Sequence, residues 1–222
     1  MISAVIFDCD GVLVDSEVLA HEVETKVLAS IGLHYDAQEF KARFMGLSDP
    51  AFLVELEVDG VSRLGRSIIA EISEPLEAAY RQAIGERLVE VPGALTAIKA
   101  VRHAKAVGSS STTKRLEEKL RKVGHWVHFA PHVYSSEHVT RSKPAPDLFL
   151  HAANALGADP AHCLVIEDSV MGVRAAQAAG MRVWGFVGGS HNDDRSRAAL
   201  RDIGVERVVE DWRQAGPLLA SL

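Results

Sequence analysis

The chain has 222 residues, 47% of them hydrophobic and 24% charged, and carries a formal net charge of −6. That composition suits a globular protein with a substantial core, and the acidic balance offers no footprint for nucleic acid. No apolar run approaches the ~20 residues of a membrane helix, and the N-terminus runs straight into an apolar strand without the basic start of a signal peptide. A cytoplasmic protein with no membrane or nucleic-acid partner is expected.

In chain order, the first strand is Ile2–Phe7, which stops at Asp8. Residues 15–88 contain no convincing strand, only amphipathic helical patterns such as Val18–Ile31, Ala37–Phe44 and Ile69–Leu88. Helical patterns at Pro92–His103, Thr112–Val123, Pro146–Leu156 and Val170–Ala179 then alternate with short apolar runs. These runs are Ala104–Gly108, Cys163–Ile166, Arg182–Val187 and Arg207–Val209. Continuous apolar runs separated by helices predict an α/β fold, a doubly wound parallel sheet. The helical block after the first strand reads as an insert over the carboxyl ends of the strands, where such sheets bind ligands. The expected division is a core of residues 1–14 and 89–222 with a helical cap domain at 15–88. Cys9 and Cys163 lie in apolar strand runs and are expected to be buried free thiols.

Chemistry gathers where the strands end. Asp8 and Asp10 are two residues apart, on one side of an extended chain, and Gly11 allows the turn that follows. Two converging carboxylates repel unless a cation or a shared proton relieves them, and Mg²⁺ with oxygen ligands would do so. Glu167-Asp168 follows another strand and emerges at the same sheet edge; such a pair also fits a helix start. Ser109–Thr113 opens a helix and offers hydroxyls and free N–H groups to a phosphate, or simply an N-cap. Lys143 sits in a loop beside Pro144 and Pro146.

With these motifs in sequence order, FDCDGVLVDSE, VGSSST, SKPAPDLF and VIEDSVMGVRAAQAAGM, the chain resembles the haloacid dehalogenase-like superfamily. It is most similar to the branch with a helical cap, which includes β-phosphoglucomutases, phosphoglycolate phosphatases and sugar phosphatases. The resemblance implies a Rossmann-like core and a phosphoric monoester hydrolase that uses Mg²⁺ on a small phosphorylated metabolite. It makes Asp8 the nucleophile that takes the phosphoryl group and Asp10 the general acid/base, protonated beside an ionised Asp8. The backbone carbonyl of Asp10 would also ligate the metal. Ser109 or Ser110 would bind the phosphate, Lys143 would neutralise nucleophile and phosphoryl oxygens, and Asp168 would bind metal with Glu167 as a second carboxylate.

Asp10 argues against a dehalogenase, which lacks that second aspartate. A β-phosphoglucomutase-type mutase remains the alternative, although the histidine it needs aligns with Ala20, beside His21. Met45 and Asp49 stand where the mutase has basic residues, while Gly46 and Ser48 keep the family's cap-loop pattern. A rival of another class is a non-enzymatic, phospho-accepting receiver-like module, which would have no helical insert. Gly46 is a candidate substrate contact, and Arg43, Phe44, Met45, Ser48 and His21 are candidates to face the leaving group. His21 and His191 otherwise read as exposed side chains.

Overall fold

The computed structural model describes residues 1–44, 47 and 49–222. β1 (Ala4–Phe7) leads into four helices: α1 (Glu17–Ser30), α2 (Ala37–Phe44), α3 (Asp49–Leu64) and α4 (Ile69–Arg87). Then come α5 (Ala94–Ala100), β2 (Ala104–Ser109), α6 (Thr113–Lys122), α7 (Trp126–Phe129) and β3 (Val133–Ser135). The chain continues through α8 (Asp147–Ala155), β4 (Cys163–Glu167), α9 (Val170–Ala178) and β5 (Arg182–Phe186). It ends with α10 (Asp194–Asp202), β6 (Arg207–Val209) and α11 (Trp212–Ala220).

The six strands are all parallel, in the order β3-β2-β1-β4-β5-β6. From β1 the chain winds first towards β3 and then, from β4, in the opposite direction. This puts the crevice of the topological switch at the carboxyl end of β1. The apolar runs have their cause in this layering. Ala4 and Ile6 pack into one core with Cys163 and Val165, while Val5 and Phe7 pack into the opposite core with Leu164 and Ile166. Successive side chains point to opposite faces, and both faces are covered by helices, so every position must be apolar. Cys9 and Cys163 are buried and unpaired with each other.

β3, three residues long at the sheet edge, went unread in the sequence because so short a run carries no periodic signal. α3 adds a helix of 16 residues to the block between β1 and α5. The four helices share a core of their own around Leu28, Phe40, Phe44, Phe52, Leu56 and Ile72. The Phe40, Phe44 and Phe52 rings lie 4.8–6.3 Å apart, within the range of favourable aromatic pairs. Two linkers join this block to the sheet and pair with each other: Asp15 N donates to Val89 O (3.0 Å) and Val91 N to Leu13 O (3.0 Å). Ion pairs cross from the block to the core at two places, Lys41–Asp193 (2.9 Å) and Arg115–Asp49 (2.9 Å). No helix among the described residues is long and apolar enough to cross a membrane.

Candidate active site

Four strand ends deliver polar groups to the carboxyl edge of the sheet. Asp8 leaves β1 directly into a turn, with Gly11 at φ +72°, a conformation glycine adopts without strain. A Cβ at Gly11 would come within 1.9 Å of Asp168 Oδ2, so the absence of a side chain also brings the β1 and β4 ends together. Lys143 is buried, and its Nζ donates to Asp8 Oδ1 (2.6 Å) and Glu167 Oε1 (2.7 Å). Glu167 Oε2 accepts from the Ser169 N–H (2.8 Å) and hydroxyl (3.1 Å). The Ser169 hydroxyl in turn caps α9 by accepting from Gly172 N (3.0 Å). Both oxygens of Glu167 are thus engaged, and the residue anchors Lys143.

Asp8, Glu167 and Asp168 each bring a carboxylate oxygen within 4.8 Å of the others. Burial pushes Asp8 well above the usual carboxylate range; Lys143 opposes this, and Glu167 and Asp168 add to it. Asp168 is raised in the same way, by burial and then by Glu167. Burial alone would lower Lys143, but Asp8 and Glu167 hold it above the usual lysine value. With all three ionised, the carboxylates outnumber the one ammonium by two charges in a buried place, which is what their raised values resist. Hard oxygen donors with a surplus of two negative charges suit a divalent cation such as Mg²⁺.

Asp10 turns the other way. Its Oδ1 accepts from Ser16 and from Lys119 Nζ, and its Oδ2 from the hydroxyls of Ser109 (3.2 Å) and Ser111 (3.1 Å). Burial pushes its carboxyl up, but the Lys119 charge and these hydrogen bonds bring it down to about 2. Asp10 is therefore held in its ionised form in this arrangement. Lys119 is the reason. In the sequence it reads as one lysine among several on a charged helix. Its position between Leu116 and Leu120, on the buried stripe of α6, is the signal that would have found it.

The serine block is more deeply set than expected. Ser109 is fully buried, with its hydroxyl committed to Asp10 and to the Ser111 N–H (3.1 Å). Ser110 and Ser111 are the serines that line the cleft, and Thr112 is the N-cap of α6. His191 is not an exposed side chain: it is 9% exposed and its Nε2 lies 3.1 Å from Asp168 Oδ2. The β5 loop carries it there, with Ser190 N and Oγ donating to Asp15 Oδ1 (3.0 and 2.7 Å). His21 is likewise no free surface group, since it lines the cleft with its ring 4.7 Å from that of Phe40. Arg43 does not line it. Its guanidinium is bonded to Asp59 (2.8 and 3.0 Å) within the helical block. Phe44 does line the cleft. Gly46, Met45 and Ser48 lie outside the described residues.

The cleft between the helical block and the sheet edge has a volume of about 530 Å³. Asp8, Asp10, Lys143 and Asp168 line one side, and Glu17, His21, Glu24, Asp49 and Tyr80 line the other. A parallel α/β sheet with a lysine-bridged carboxylate cluster at its switch point suits phosphoryl transfer.

The comparisons agree. A family profile described as haloacid dehalogenase-like hydrolase matches residues 2–180. A 6-phosphogluconate phosphatase of Escherichia coli is 31% identical over 193 residues, 86% of this chain and 85% of its own length. A haloacid dehalogenase-like protein of unknown function from Agrobacterium tumefaciens superposes with a TM-score of 0.81 at 34% identity, covering 100% of this chain and 99% of that one. A family hydrolase from Deinococcus radiodurans, solved with bound phosphate and sodium, gives 0.77 at 34% identity, over 99% and 96%. The chain belongs to the haloacid dehalogenase-like hydrolase family, and within it to the phosphatases.

Proposed function

We propose that this protein hydrolyses a small phosphorylated metabolite, a sugar phosphate or phosphorylated sugar acid, with Mg²⁺ and through an aspartyl-phosphate on Asp8. The observation that carries this reading is the buried Lys143 bridging Asp8 and Glu167 beside Asp168. Asp8, Asp168 and the backbone carbonyl of Asp10 would hold the metal, with Glu167 on the Lys143 side. The metal, when bound, supplies positive charge to the phosphoryl oxygens.

Lys143 supports in-line attack by neutralising charge on Asp8 and on the transferring group, the main task in phosphoryl transfer. Asp8 Oδ attacks phosphorus, and the bond to the leaving oxygen breaks. Asp10, once it has taken up a proton from solvent, gives it to that oxygen, and afterwards it takes a proton from the water that attacks phosphorus and frees Asp8. To do so its carboxyl must exchange Lys119 and Ser16 for the reacting groups, because beside Lys119 it holds no proton at neutral pH. The same movement would release the Ser109 and Ser111 hydroxyls for the phosphate, so substrate entry and activation of Asp10 are coupled. Ser110 and Lys143 complete the phosphate site.

The division into a core at 1–14 and 89–222 and a cap at 15–88 belongs to the same proposal. It is supported by the separate core of the four helices and by the paired linkers at Leu13–Asp15 and Val89–Val91. The test is steady hydrolysis of p-nitrophenyl phosphate in Mg²⁺, abolished by a chelator and restored by the metal. A single round of labelling without turnover would point to a receiver-like module instead.

A further inference from the structure

The leaving group of a phosphate ester bound at Asp8 must lie against the helical block. α1 presents Glu17, His21 and Glu24 there, at i, i+4 and i+7, the spacing of one helix face. Glu24 is fixed by the Tyr80 hydroxyl, which donates to its Oε1, and the Arg115 guanidinium lies 4.0 Å from the centre of the Tyr80 ring. Among the described residues the second oxygen of Glu24 accepts no other hydrogen bond. It is left for a polar group in the cleft.

The cations lining this part of the cleft are already matched or lie at its rim. Arg115 gives both hydrogen bonds of one terminal nitrogen to Asp49 (2.9 Å each) and its other terminal nitrogen to Glu77 (3.2 Å). Lys41 pairs with Asp193 in the open, and Arg195 is exposed at the mouth. The inner wall therefore offers carboxyl groups and, apart from the buried Arg115 Nε, no unpaired donor of a guanidinium or ammonium among the described residues. Burial, then Asp10 and Asp168, push Glu17 up to about 8. Burial also pushes Glu24 up to about 8, Glu17 and Asp49 adding to this against the Tyr80 hydrogen bond. Near neutral pH these carboxyls hold their protons in large part, so they meet hydroxyls as donor and acceptor and supply no countercharge to an incoming anion.

Resting on the phosphatase reading above, we propose that this wall selects an uncharged, polyhydroxylated leaving group. Glu24, held by Tyr80, exchanges a hydrogen bond with a substrate hydroxyl, and a leaving group with a carboxylate or second phosphate finds no countercharge and is rejected. The preferred substrates are monophosphates of neutral sugars or sugar alcohols, and the sugar acids are the poor ones.

Glucitol 6-phosphate and 6-phosphogluconate make a matched test, since they share a six-carbon chain and differ at one end, CH₂OH against COO⁻. The ratio of their kcat/KM values is expected to favour the glucitol ester by at least about tenfold, a size that one unmatched charge or unpaired buried polar group readily reaches. Glu24→Leu, which removes the hydrogen-bonding group, should reduce this ratio severalfold. Tyr80→Phe, which keeps the ring beneath Arg115 and removes only the hydroxyl that holds Glu24, should move it the same way by less. A wild-type ratio at or below one, or a ratio unchanged in both variants, would overturn the proposal. Absence of turnover on both esters and on p-nitrophenyl phosphate would overturn the phosphatase reading itself, and this inference with it.

Discussion

Lys143 and Glu167, 24 residues apart in the chain, meet at 2.7 Å in the interior, and the same ammonium reaches Asp8 at 2.6 Å. Their side chains are 3% and 1% exposed. Removing one partner of such a buried arrangement strands the others, at a cost of about 3–5 kcal/mol. Lys143→Met is therefore expected to lose both activity and stability, with an unfolding free energy lower by about that amount in chemical denaturation. Mg²⁺ should restore part of the stability but none of the turnover. A variant as stable as the parent would show that Lys143 is not the cation that the carboxylates depend on.

Gly11→Ala probes the contact between the β1 and β4 ends. The added carbon falls 1.9 Å from Asp168 Oδ2, at a backbone φ of +72°. Asp168 must shift by about an ångström, a displacement that can cost roughly 100-fold in rate. The expected result is a kcat/KM lower by about that factor and a weaker response to Mg²⁺. Full activity would mean that Asp168 is not positioned by this contact.

The strand-end chemistry was legible in the sequence because strand ends are fixed by the register of a parallel sheet. Asp8, Ser109–Ser111 and Glu167-Asp168 each follow an apolar run, so their convergence at one edge follows from topology alone. Lys143 is brought in by its loop, for which the resemblance was the guide. Helical periodicity marks a buried face, as it does around Lys119 on α6, but the sequence does not show what that face meets or which loop folds back. For that reason the partners of Lys119 and Arg115 and the place of His191 went unread, as did the hold that Lys119 has on Asp10. Glu17 and Glu24 escaped for the same reason, as polar residues on a helix whose cleft-facing side only the packed cap defines.

The acidic wall of the cleft should be visible in the pH dependence of stability. The carboxyls of Glu17 and Glu24 are both pushed up to about 8 in the folded chain. An unfolded glutamate titrates near ~4.3. Between these values the folded chain holds protons that the unfolded chain has lost, so their stabilising contribution is full below the lower value. It is lost as pH rises through the upper one. Asp10, held at about 2, is ionised in both states over this window and adds no slope. Denaturation midpoints should fall from pH 5 to pH 8.5, and Glu24→Gln should flatten the decline. A midpoint that rises across this range in the parent would contradict the assignment.

Mg²⁺ should stabilise the fold, since it balances the two surplus negative charges around Asp8, Glu167 and Asp168. At a concentration one hundred times its dissociation constant the gain is about 2.7 kcal/mol. A rise in melting temperature with Mg²⁺, lost in Asp168→Asn, is the expected result. An equal rise in that variant would place the ion elsewhere.

The central claim is that Asp8 carries the phosphoryl group, and Asp10→Asn gives the means to see it. That variant should hydrolyse sugar phosphates roughly 100- to 10,000-fold more slowly, for want of a proton donor and acceptor. p-Nitrophenyl phosphate, whose leaving group needs no proton, should still phosphorylate it. Acid quenching of Asp10→Asn with p-nitrophenyl phosphate labelled in its phosphate, followed by proteolysis, measures the intermediate directly. The account predicts label on the peptide that holds Asp8 and none in the Asp8→Asn variant. Label that persists in Asp8→Asn, or an Asp8→Asn enzyme that still turns over, would contradict it.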